Sequence, residues 1–221
     1  MSGEGRDPTS RFAQLVSGRD EELRLDEACL LVCAHAEPGL DIGRSLDELD
    51  GMAAGIDSFS AWHTRLFTDL GLTGDAEDYH AVENSRLDRV IERRRGMPIT
   101  LAVVGMEVAR RAGVPMAGVG MPGHFLLRHT GDPGWFVDAF AGGKLLDAAG
   151  CEALFRRIAD PDMRFPPDYL QPVTNRQIVA RILANLRYTY SVAGDRANLS
   201  WVLGLQLLMP DSGVTERARF N

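Results

Sequence analysis

The feature that most restricts the fold is a change of hydrophobic period at Gly113. Before it, apolar residues recur three and four apart; after it, in "VPMAGVGM", "HFLLRH" and "WFVDAF", the spacing falls to two. The longer period buries one stripe of a helix, and the shorter one buries one face of a strand. The strand-like stretch is brief, and helical spacing returns in "DAAGCEALFRRIA". The pattern therefore reads as an α+β chain, helices on either side of a few short strands. "TGDPG" is the turn between the last two strands.

The helices on either side can be placed from their punctuation. From about residue 10 to 95, "RFAQLV", "LRLDEACLLVCAHA", "SLDELDGMAAGI" and "FSAWHTRLFTDLGL" read as short amphipathic helices separated by Gly, Pro and Asp. "ENSRLDRVIERRRG" adds another, with Asn84 or Ser85 as N-cap and Gly96 just past its end. Pro98 starts the next, which carries Leu101, Val104, Gly105, Val108 and Ala112 and closes with Arg110, Arg111 and Gly113. Thr100 therefore falls in its first turn. Beyond the proline-rich "DPDMRFPPDYLQP", two helices joined by "AGD" form a hairpin. The division expected is an N-terminal extension over 1–18, partly flexible, a main domain over 19–172 (helical part 19–95, core 96–160), and a C-terminal helical hairpin over 173–221.

With 45% hydrophobic and 25% charged residues, the 221-residue chain has ordinary globular composition. Its opening lacks an apolar stretch of signal-peptide length, and no apolar run approaches the roughly 20 residues of a membrane span. A cytoplasmic protein away from the membrane is expected. A net charge of −7 argues against nucleic acid, whose binding requires many phosphates to be neutralised. The cations are arginines apart from Lys144, which reads as compositional bias, and the Arg93–Arg95 cluster reads as the end of a helix. Cys29, Cys33 and Cys151 form no CxxC pair and are expected to be buried thiols; His35, His63, His80 and His129 lack metal-ligand spacing. The glycines around the sheet match no phosphate or dinucleotide loop, so neither metal nor cofactor is expected.

Two polar residues interrupt the strands: His124 and Asp138. If Arg128 pairs with Gly134 across the turn, these two stand directly opposite each other, on one face, with Cβ atoms about 4.5–5.5 Å apart. A carboxylate there can fix one imidazole nitrogen while the other meets a substrate. The bland alternative is a buried, satisfied pair that orders the sheet. Thr100, near a helix N-terminus that favours developing negative charge, is the candidate third member; its bland role is to satisfy the helix start. Glu107, two turns further on, is expected to pair with Arg110 or Arg111.

"NSRLDRVIERRRGMPITLAVVGMEVARRAGVPMAGVGMPGHFLLR" followed by "FVDAFAGG" resembles the transglutaminase-like proteins of the bacterial SirB type, over roughly residues 20 to 210. The resemblance implies a papain-like core, a nucleophile helix on an antiparallel sheet with Cys, His and Asp as the ancestral triad. Carried over by position, His124 matches the histidine, Asp138 the aspartate, and Thr100 falls at or beside the cysteine. No cysteine of this chain occupies that place. Two functions follow as expectations. One is acyl transfer or hydrolysis on an amide, with His124 as base and acid, Asp138 orienting it, and Thr100 or water as nucleophile. The other is a pseudoenzyme that binds a peptide or protein partner. A scaffold acting through its C-terminal hairpin is a weaker third.

Overall fold

The computed structural model describes residues 7–159 and 162–210. Four helices come first: α1 (Pro8–Ser17), α2 (Leu25–Ala36), α3 (Ile42–Ala53) and α4 (Phe59–His63), the last continuing as a π-helical segment, Thr64–Asp69. Asp7, Asp41 and Ser58 cap α1, α3 and α4 by accepting from the amides of Ser10, Arg44 and Ala61. Those amides have no partner within the helix, which is why polar caps recur at these breaks. The expected extension over 1–18 is helix from Pro8 onward, with Phe12 and Val16 fully buried; its first six residues lie outside the described ones.

Helix α5 (Leu87–Arg93) departs from its predicted caps. Asn84 and Ser85 belong to a preceding 3-10 turn, the N-cap is Arg86, and the chain leaves the helix through Arg94 in the left-handed region at φ 58°. Gly96 does not terminate it. The pair β1 (Thr73–Gly74) and β2 (Arg95–Gly96), parallel and invisible to periodicity, takes the Arg94 and Gly96 carbonyls as acceptors for the amides of Thr73 and Asp75. Those carbonyls are committed to the ladder, so the helix stops before them.

Helix α6 (Pro98–Ala112) begins at its proline and ends at Gly113 (φ 70°), as predicted. It is buried almost all round, where the spacing showed only one apolar face. A helix covered on all sides sits at the centre of a fold. The sheet that lies on it is an antiparallel meander of β3 (Met116–Val119), β4 (Leu126–His129), β5 (Phe136–Asp138) and β6 (Lys144–Leu146). Phe125, Leu127 and Val137 join the core around α6; Leu126 and Phe136 point the other way, into a smaller core under α7 (Ala148–Ile158). With both faces covered, β5 is buried at all three positions, where a period of two implies one buried face. The predicted hairpin, α8 (Asn175–Val192) and α9 (Arg196–Leu208), follows, and the expected segment's last part, 211–221, lies outside the described residues.

The sheet register differs from the prediction by two residues. Arg128 pairs with Phe136, not Gly134, and Leu127 with Val137. The turn is longer because its residues have other partners: the Thr130 amide donates to Pro115 O (2.8 Å) and that of Asp132 to His129 Nδ1 (2.9 Å). Extending this register sets Asp138 opposite Leu126 and leaves His124 in a loop before β4. A shift of two keeps every side chain on its face, where a shift of one would have separated the pair. Among the described residues, no helix is long and apolar enough to cross a membrane.

Candidate active site

His124 is aimed by a turn, Met121-Pro122-Gly123-His124. The His124 amide donates to Met121 O (3.0 Å), and Gly123 has φ 71°. Proline second and a positive φ third are the features of a type II turn, which glycine adopts without strain. Asp138 ends β5 where the chain folds back. Its Oδ1 accepts from the Ala141 amide (3.2 Å), and its carbonyl accepts from the Gly143 amide (2.9 Å).

These two turns bring His124 Nε2 to 2.9 Å from Asp138 Oδ1, with both residues buried. A carboxylate only accepts, so Nε2 carries the proton in this bond. Nδ1 is then the lone-pair nitrogen of the neutral ring. Phe140 packs its ring nearly perpendicular to the imidazole, with centroids 6.1 Å apart.

Gly143 holds the aspartate turn against the helical half. It has φ 83°, its carbonyl accepts from His63 Nε2 (2.6 Å), and a Cβ there would come within 2.3 Å of the Phe67 ring. Gly143→Ala is therefore expected to cost at least about 2 kcal/mol, from left-handed strain plus overpacking. It should also displace Asp138, which the His124 ring resonances in NMR would report. A wild-type melting temperature with unmoved ring signals would refute this.

Thr100 is placed differently from its predicted role. It is fully buried, its Oγ1 donating to Asn84 O (2.6 Å) and Met97 O (3.1 Å), and it does not line the cleft. The side chain at the start of α6 that does line it is Met97. Glu107 pairs with Arg110 and Arg111, away from the site. Cys29, Cys33 and Cys151 are buried free thiols; burial pushes all three up, Cys151 to about 12.

The pair opens into a cavity of about 590 Å³. Its other walls come from α7 (Leu154, Arg157, Ile158), from α8 (Arg181, Asn185, Tyr188, Thr189), and from Tyr79, His80 and Ser85 ahead of α5. Sequence reading missed these. They sit on three separate stretches, and none carries a local pattern distinguishing a cleft wall from a helix surface. Among the described residues, no three His, Cys, Asp or Glu side chains converge as a metal site would require.

A buried helix on an antiparallel sheet, with histidine and aspartate meeting beside the helix start, is the architecture of a transglutaminase-like core. The chain belongs to the transglutaminase-like superfamily, whose family model matches residues 25–184. It is 38% identical over 191 residues to a "UPF0162 protein" of Xylella fastidiosa, covering 78% of this chain and 66% of that protein. A UPF0162 protein of Pseudomonas aeruginosa is 32% identical over 186 residues, with 77% and 66% covered. Human F-box only protein 21 is 30% identical over 158 residues, which is 63% of this chain and 25% of that protein. The chain thus spans just under two thirds of the length of these Xylella and Pseudomonas relatives. No solved structure matches it. The match is to the superfamily; the SirB-type grouping rests on the motifs alone.

Proposed function

We propose that the cleft is a peptide-binding site of transglutaminase descent that forms no covalent acyl intermediate. The observation that carries this reading is the side chain at the start of α6. Met97 Sδ accepts from Ser85 Oγ and Asn185 Nδ2, both at 3.1 Å. A thioether has no proton for His124 to remove, so it cannot be activated as a thiol is. The one hydroxyl in that helical turn, on Thr100, is directed to two backbone carbonyls.

A second reading is favoured by the free Nδ1 of His124. With Nε2 held by Asp138, Nδ1 has the geometry of a general base toward a water, and an amide bound beside it would be the substrate. Incubation with a chromogenic amide and an activated acyl ester separates the two. Binding alone gives neither turnover nor an acyl adduct by intact mass; turnover without an adduct, lost in His124→Ala, would replace the binding reading with hydrolysis. A stable acyl adduct would overturn both.

The same geometry gives a second test. In a Met97→Cys variant, position 97 is expected to react with iodoacetamide at least about tenfold faster than Cys29, Cys33 or Cys151, because a thiol beside a base is readily ionised and the native thiols are buried. Peptide mapping of the labelled protein reads the result. Labelling no faster than the native cysteines would mean that the pair does not reach the helix start.

A further inference from the structure

The wall of this cavity is charged against the trend of the chain. The sequence has 31 acidic and 24 basic residues. Yet among the described residues the cavity is lined by two arginines, Arg157 and Arg181, and by a single carboxylate, Asp138, which is already engaged with His124. Among the described residues eleven other arginines form ion pairs, Arg86, Arg89, Arg93, Arg110 and Arg111 among them.

Arg181 is the informative one. It rises from α8, lays its guanidinium over the Phe125 ring (5.7 Å to the centroid), and donates from Nη1 to Met121 O at 3.2 Å. No carboxylate pairs with it among the described residues. Burial pulls its pKa down from the ordinary value, the sign of a cation held away from water. It stays charged at neutral pH, since arginine is not deprotonated in proteins. A partly desolvated guanidinium lacking a counter-charge is costly unless an anion completes it, and its planar fork matches a carboxylate.

We propose that the cleft takes a carboxylate borne by a peptide, seated on Arg181 with Arg157 at the rim. The inference rests on the binding reading above and names what that cleft recognises. A carboxylate on an apolar peptide fits better than a bare, strongly hydrated anion such as phosphate, because Phe140, Leu154 and Ile158 line the same space.

The test uses the whole chain and three pools of randomised, N-acetylated hexapeptides, with binding read by chemical-shift changes in the His124 ring and the arginine Nε–H signals. One pool has free C-termini and no acidic residues. The second is the same pool with amidated C-termini, and the third is amidated but contains one Asp or Glu. The free-acid pool, the acidic pool or both should bind about tenfold or more tightly than the neutral amidated pool, the range a charge-assisted pair supplies. Which of the two binds identifies the carboxylate as terminal or side-chain. Arg181→Met, which keeps an unbranched chain over Phe125, should abolish the preference, and Arg181→Lys should retain part of it.

Equal binding of all three pools, with Arg181→Met unaffected, would overturn the carboxylate assignment and leave the binding cleft standing. No binding of any pool would overturn both. Inorganic phosphate displacing the peptide at equal concentration would also overturn the choice of carboxylate. If Arg181→Met loses its far-UV circular dichroism, the wild-type comparison of pools decides alone.

Discussion

Asp26→Ala is expected to cost about 3–5 kcal/mol, the usual penalty for removing one partner from a buried ion-pair network. Asp26, in the first turn of α2, is fully buried. Its carboxylate accepts from Arg111 Nη2 (2.8 Å), Arg110 Nη2 (3.3 Å) and Arg24 Nη2 (3.4 Å), and from the Glu27 amide (2.8 Å). The last turn of α6 is thereby tied to the first turn of α2. In the variant, Glu107 is the one buried carboxylate left to Arg110 and Arg111 among the described residues. Against a net stability of about 5–15 kcal/mol, such a loss is large, and it corresponds to a melting temperature lower by roughly 6–20 °C for a chain of this size.

The pH dependence of that variant has a defined sign. Burial alone would raise the Asp26 carboxyl, but the Arg111 bond, the Glu27 amide and the charges of Arg111 and Arg24 outweigh it and hold it below the ordinary 3.8. Its contribution is complete above 3.8 and is lost as pH falls through the depressed value. Glu107 runs the other way: burial, and then the Asp26 charge, raise it above 4.5. The cost of ionising Glu107 is present above its folded value and disappears in acid. Wild-type stability should therefore fall more steeply below pH 3.8 than that of Asp26→Ala, as urea midpoints across the acid range would show. Parallel acid limbs, or an unchanged midpoint at neutral pH, would refute the network's role.

Trp62→Ala should be comparably damaging, at about 3–5 kcal/mol, from lost burial plus the cavity left behind. Trp62 is fully buried at the end of α4, stacked on Phe59 (5.5 Å) and edge-on to Phe67 (5.7 Å), and its Nε1 donates to Gly105 O (3.0 Å) in the middle of α6. Gly105 permits that contact: a Cβ there would lie 2.8 Å from Leu127 Cδ1 and 3.3 Å from the indole. The indole therefore joins the helical half, the central helix and the sheet. Phe67 also abuts Gly143, so the loss should reach the aspartate turn and weaken the His124–Asp138 contact as well as the fold. Trp62→Phe should recover most of the stability. Chemical unfolding followed by circular dichroism measures both, and a Trp62→Ala midpoint within error of wild type would show that the surroundings collapse onto the gap.

How far the site could be read in advance depended on the element. The start of α6 followed from its first-turn proline and its end from Gly113, features confined to a few neighbouring residues. Strand β6, with the short sequence Lys-Leu-Leu and exposed positions, offers no period to detect. The His124–Asp138 contact was anticipated from a register that proved two residues out; parity preserved the face, while the Pro-Gly turn supplied the reach. Thr100 went the other way: on a helix buried on all sides, spacing cannot say which neighbour a hydroxyl will meet.

By itself the sequence determined the helices and the strands β3 to β5, their order, and that His124 and Asp138 would meet. Backbone periodicity and caps depend on residues a few places apart, and those are what a linear reading sees. Only the tertiary structure decided that Met97 rather than Thr100 faces the cleft, and that Arg181 lines it with no acidic partner among the described residues. Both outcomes are set by packing between segments far apart in the chain, where the available space and hydrogen-bond acceptors exist only once the helices have closed around α6.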